Sequence, residues 1–156
     1  MKIAVIVAIC LIIASFSFIP QQLVDKNSIA LKIHEDTNNE RIKAGLHELQ
    51  YNPQLAKVAE GHSDDMAQRN YFDHVTPEGL EPVHRARNAG VKCEVGENIF
   101  TVELWGNRDR LAYRAMSGWM DSEEHKANIL HESYMQEGIG IAFNFWGVAY
   151  VTQNFC

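Results

Sequence analysis

Three separated stretches carry the side chains able to do chemistry: Tyr71-Phe72-Asp73-His74, Gly96-Glu97-Asn98-Ile99, and Trp119 through Leu130 with His125 at its centre. Each sets a histidine or carboxylate beside aromatic or aliphatic anchors, as suits a polar site on a hydrophobic floor. These are the side chains that bind divalent metal or move protons near neutral pH. Their spacing excludes one local motif, so a shared site must be assembled by folding. The other familiar chemistries lack their signatures. The sequence has no His-Glu-x-x-His, no Cys-x-x-Cys, no Gly-rich phosphate loop and no Gly-x-Ser-x-Gly elbow. A nucleophilic hydrolase is not indicated, and the chain leans away from being an enzyme.

The elements that must position these residues can be read from periodicity. Ile29, Ile33, Ile42 and Leu46 are broadly helical, with Asp36, Thr37 and Asn38 as capping candidates. Asn52-Pro53 starts a second helix, in which Leu55, Val58, Ala59, His62 and Met66 fall on one face. His62 reads there as a packing residue, and His34, His47, His84 and His131 as surface or packing residues. His74 lies in the loop defined by Pro77, Gly79 and Pro82. A short helix runs from Val83 to Asn88, and Glu97 is expected to open another helical region. A further helix spans Arg108 to Met120, and Ser122 can cap a short one through His125. The tail changes period: Gly138–Phe143 and Val148–Phe155 are rich in β-branched and aromatic residues and flank a turn at Asn144–Gly147. Helices first and strands last predict an α+β domain with a small antiparallel sheet. Tyr71, Phe72, Trp105, Trp119, Tyr134, Phe143, Phe145, Trp146 and Tyr150 read as core rather than as a ligand box.

The bulk properties agree. A length of 156 residues, 46% hydrophobic and 22% charged, suits one globular domain, and a net charge of −6 gives no electrostatic basis for binding nucleic acid. Met1-Lys2 precedes an almost wholly apolar run from Ile3 to Ile19, which reads as a signal peptide or N-terminal membrane anchor over residues 1–19. The run is slightly shorter than a typical span of about 20 residues. No clean small-x-small cleavage site follows it, so cleavage and anchoring both stay open. Residues 20–28 read as a linker and 29–156 as the folded domain. The expected location is secreted or extracytoplasmic, with membrane contact only through the N-terminal segment. Setting Cys10 aside in that run, Cys93 and Cys156 are either a disulfide or two free thiols.

Taken in series, several strings resemble the CAP superfamily, the SCP-like extracellular group that includes cysteine-rich secretory, antigen 5 and pathogenesis-related 1 proteins. They are His62-Ser63-Asp64-Asp65-Met66-Ala67, Tyr71-Phe72-Asp73-His74, Gly96-Glu97-Asn98-Ile99, Trp119-Met120 through Ser122, His125 to Leu130, Gly138-Ile139-Gly140 and Gln153-Asn154-Phe155. The compact form from Trp119 to Leu130 is similar to that of prokaryotic members. The resemblance implies a three-layer α-β-α sandwich with a central cleft lined by His74, Glu97, Ser122, Glu124 and His125. It also implies a divalent metal such as Zn²⁺ on His74 and His125, with Glu97 or Glu124 as the possible catalytic carboxylate. The position where eukaryotic members carry a second glutamate is Ser122 here, and Glu124 is the favoured substitute. A lipid or other small hydrophobic ligand is a further implied partner. The resulting expectation is an extracellular binding module, with a metal-dependent hydrolase or a non-catalytic scaffold as alternatives.

Overall fold

In the computed structural model the described residues are 25–104 and 108–156. The segment read as signal or anchor, most of the linker, and Trp105 lie outside them. Helix α1 (Lys26–Lys43) starts inside the stretch read as linker, where the Asp25 carboxylate accepts from the Asn27 backbone and the Ser28 hydroxyl. Thr37 and Asn38 are not caps. They lie on the buried face of α1 with Arg41, where Asn38 clasps the backbone of Leu49 through both side-chain atoms (2.7 and 3.0 Å). This polar inner face explains why the apolar period of α1 is weak. After the two-residue strand β1 (Gln50–Tyr51) comes α2 (Pro53–Arg69), with Pro53 in its first turn and the Asn52 side chain accepting from Gln54 and Leu55.

Next come α3 (Pro82–Asn88), strand β2 (Gly96–Glu103), a single 3₁₀ turn (Arg108–Arg110), α4 (Leu111–Met120), α5 (Glu123–Ile129), β3 (Gln136–Phe143) and β4 (Val148–Phe155). The segment expected to be helical after Gly96 is thus a strand, paired antiparallel with β4 along its whole length. The sheet order is β1-β3-β4-β2. Because β1 runs parallel to β3 while the other pairs are antiparallel, the sheet is mixed rather than purely antiparallel. Ser122 occupies the start of α5 without a side-chain cap bond.

Successive residues of a strand face opposite sides, so each strand serves two layers. Helix α2 covers one face. Gly138 and Gly140 lie beneath it, and a Cβ on either would collide with backbone nitrogen of Ala56 or Glu60, so only glycine permits this approach. The other face packs Ile139, Ile141, Val151 and Phe155 against α1, α4 and α5, with Trp119 donating its indole N–H to the Ile99 carbonyl (3.0 Å). The architecture is therefore a three-layer α-β-α sandwich. His34, read as a surface or packing residue, bonds the fully buried Glu137 through Nδ1 (2.6 Å), and Gln153 donates to the other oxygen of that carboxylate (2.6 Å). Burial pushes the Glu137 carboxyl above its usual range. Phe145 and Trp146, read as core, are 92% and 81% exposed at the tip of the β3–β4 turn.

Cys93 and Cys156 form a disulfide with their Cα atoms 5.8 Å apart, tying the end of β4 to the loop before β2. It closes a loop of 63 residues, for which chain entropy gives about 4 kcal/mol. Replacing both cysteines by serine should lower unfolding free energy by about 2–4 kcal/mol. Urea denaturation of the two proteins would check it; a difference under about 1 kcal/mol would be too small for a cross-link of this length.

Candidate functional site

Glu97 is the second residue of the edge strand β2 and faces the α2 layer, with its side chain 1% exposed. A carboxylate so placed needs partners, and the chain brings two. Oε1 bonds Nδ1 of His74 at 2.9 Å, and Oε2 accepts from an Arg85 guanidinium nitrogen at 2.6 Å. The His74 loop is set by Asn70, which ends α2 in the left-handed region (φ 56°), and by the other guanidinium nitrogen of Arg85, which donates to the carbonyls of His74 and Leu80 (2.7 and 2.9 Å). Arg85 therefore fastens the loop and neutralises the carboxylate with one side chain.

His62 lies on the inner face of α2, fully buried, and its Nε2 donates to the Asp73 carbonyl (3.0 Å). The same nitrogen stands 3.8 Å from Glu97, outside hydrogen-bonding range. Burial pulls its pKa below the ordinary histidine value, so it is neutral. His74 moves the other way, raised chiefly by its hydrogen bond to Glu97. Its side chain is 45% exposed and its Nε2 has no protein partner among the described residues.

His125, half-buried on α5, approaches from the opposite layer. Burial lowers its pKa first, and the charge of His74 lowers it further. Neither ring nitrogen makes a hydrogen bond among the described residues, and Nδ1 is buried. Its backbone is fixed by Asn98, whose amide donates to the His125 carbonyl (3.1 Å), while Asn128 donates to Asn98 and to the Glu97 carbonyl (2.9 and 3.3 Å). Neighbouring residues of β2 thus serve both layers: Glu97 orients His74, and Asn98 seats the helix that carries His125.

Of the residues expected in the cleft, His74 and Glu97 are joined directly, and the charge of His74 acts on His125. Ser122 is half-buried at the start of α5, and Glu124 is exposed, acting on His125 through its charge alone. Sequence reasoning missed Arg85 altogether and placed His62 only in packing. The available signal for His62 was its position as the polar member of an apolar helical stripe. Both also line a groove of about 730 Å³ between α2 and α3, whose walls include Pro53, Val58 and Leu80.

Chemically, both oxygens of Glu97 are engaged, so the carboxylate orients an imidazole and balances Arg85. The buried groups left without a partner among the described residues are imidazole nitrogens of His62 and His125, Arg85 Nε and the side-chain amide of Asn154, whose backbone pairs with Glu97 across the sheet. Among the described residues no cluster of three or more His, Cys, Asp or Glu is arranged to hold a metal ion, and no helix among them is long and apolar enough to cross a membrane.

The Cysteine-rich secretory protein family (CAP) matches residues 34–155. An uncharacterised Bacillus subtilis (strain 168) protein, YkwD, is 36% identical over 110 residues, covering 70% of this chain and 40% of that protein. An uncharacterised membrane protein of the same organism, YlbC, is 35% identical over 120 residues, covering 76% of this chain and 32% of that protein. The crystal structure of an extracellular SCP-domain protein from Bacillus anthracis str. Ames superposes with a TM-score of 0.72 at 32% identity, over 83% of this chain and 40% of that one. The chain thus spans between 32% and 40% of the length of these relatives.

Proposed function

The chain belongs to the Cysteine-rich secretory protein (CAP) family, and from that premise we propose that it is an extracytoplasmic binding module whose cleft takes a divalent cation on His74 and His125. The observation that carries this reading is the 2.9 Å bond from His74 Nδ1 to Glu97. A carboxylate on one ring nitrogen fixes the ring and turns the other nitrogen outward, the arrangement that supports metal-bound histidines. His125 suits the same role, since its lowered pKa keeps the imidazole in its neutral, ligating form. Two imidazoles without a third protein ligand fit a labile site completed by water or by a donor atom of a small ligand. A bound cation would act as a Lewis acid toward that donor. The engagement of Glu97 by Arg85 and His74 favours binding over hydrolysis, because the carboxylate has no free role as general base.

Calorimetric titration with Zn²⁺ at pH 7.5 tests the proposal. His74→Ala and His125→Ala are each expected to weaken binding by at least about tenfold, and the double variant to abolish it. Zinc bound with parental affinity by the double variant would remove the cleft site. In the parent, affinity should rise with pH as His74, whose pKa is raised, gives up its proton.

A further inference from the structure

The β3–β4 turn ends in the two most exposed large hydrophobic side chains of the described residues, Phe145 at 92% and Trp146 at 81%. They are held in place. Their rings stand edge to face at 5.2 Å, and the Asn144 side chain accepts from the backbone of Trp146 and Val148 (3.0 and 2.9 Å). Gly147, at φ 80°, completes the turn. The turn presents two aromatic rings to water, and among the described residues the ring contact made by either is with the other. At the base of the tip the Arg108 guanidinium lies over the ring of Phe143, 4.6 Å from its centroid, which adds a cation.

The direction of α1 relates this tip to the N-terminal segment. Lys26, Asn27 and Ala30 border one depression with Ile139 and Ile141, whereas Arg41 reaches the carbonyls of Ile129, His131 and Tyr134 just ahead of β3. Helix α1 therefore runs opposite to β3, and its first turn lies beside the half of β3 that leads to the tip. From Ile141 to Phe145 is four residues, about 14 Å of strand. Upstream, the apolar run of the sequence ends at Ile19, six residues before Asp25, and six residues reach at most about 20 Å. The apolar run and the aromatic tip can thus meet one surface at the same end of the domain.

We propose that Phe145 and Trp146 seat this end of the domain on a lipid surface, beside the N-terminal apolar segment. Aromatic side chains favour the bilayer interface, where an apolar ring meets polar headgroups. The contact would fix the orientation of the domain instead of leaving it to swing from one attachment point.

The full chain with Trp105→Phe, mixed with vesicles of phosphatidylcholine and phosphatidylglycerol carrying brominated acyl chains, gives the test. Trp119 is 1% exposed, so quenching by bromine reports on Trp146. The expected result is a blue-shifted, quenched emission, both lost in the Trp105→Phe/Trp146→Phe chain. Unquenched Trp146 in chain that floats with the vesicles would overturn the proposal, as would failure to float. A Phe145→Ser/Trp146→Ser variant that turns a dimer into a monomer, with no quenching in its parent, would assign the tip to a second copy instead.

Discussion

Glu97→Gln is expected to lower the unfolding free energy by about 3–5 kcal/mol, the range for breaking a buried ion pair from one side. The change is nearly isosteric, so lost packing does not account for the loss. What remains is the Arg85 guanidinium, its side chain 10% exposed, facing a neutral amide. One amide cannot accept from both Arg85 and a protonated His74 as the carboxylate does, so the His74 loop loosens too. Urea unfolding at pH 7 measures the effect, and a loss under about 1 kcal/mol would contradict it. Glu97→Gln combined with Arg85→Met should recover part of the loss by removing the orphaned charge. A pH series adds an independent signature. His74 has its folded pKa raised, so its contribution is complete below the unfolded value of about 6.5 and is lost as pH rises through the folded one. In the variant that increment should vanish, with the His74 titration, followed by NMR, moving toward the ordinary range.

Arg41→Met should cost about 4–5 kcal/mol. Arg41 is fully buried in α1 and donates to four carbonyls, those of His47, Ile129, His131 and Tyr134. Ile129 and His131 flank the end of α5, so the guanidinium closes that helix C-terminus with a positive charge. Methionine fills similar volume yet leaves the carbonyls of His47, Ile129 and His131 without that donor, while Tyr134 keeps His47 Nε2 (2.9 Å). Each loss is about 1–3 kcal/mol with partial relaxation. Thermal and urea unfolding would both register it. A variant within about 1 kcal/mol of the parent would mean that solvent replaces the guanidinium. The effect should reach the cleft, because His125 rides on the helix that Arg41 terminates.

The elements legible in the sequence are those whose inner faces are apolar. Helix α2 follows its stripe of Leu55, Val58, Ala59 and Met66, and the β3–β4 hairpin follows its β-branched runs around Asn144–Gly147. Where buried faces are polar the period fails. The inner face of α1 carries Thr37, Asn38 and Arg41, and β2 opens with Glu97 and Asn98 committed to opposite layers. Neither pattern alternates cleanly, which is how a strand came to be expected as helix. The parallel pairing of β1 rests on two residues and has no periodic signal. At the site, His74, Glu97 and His125 were picked out by the strings that surround them, and of these the structure joins His74 to Glu97. Arg85 was not, since its role follows only from a buried carboxylate that had first to be known as buried.

The order of the sheet carries a consequence for how the protein is made. Strand β4 follows every other described element in sequence, yet it lies between β3 and β2 and pairs with both. Until Val148–Phe155 leaves the ribosome or a translocation channel, β2 has no neighbour and β3 has only the two-residue β1. Such non-local pairing delays folding, so the sheet stays open until β4 has emerged. The sheet then zips shut around its final strand, and the same event brings Cys156 to Cys93.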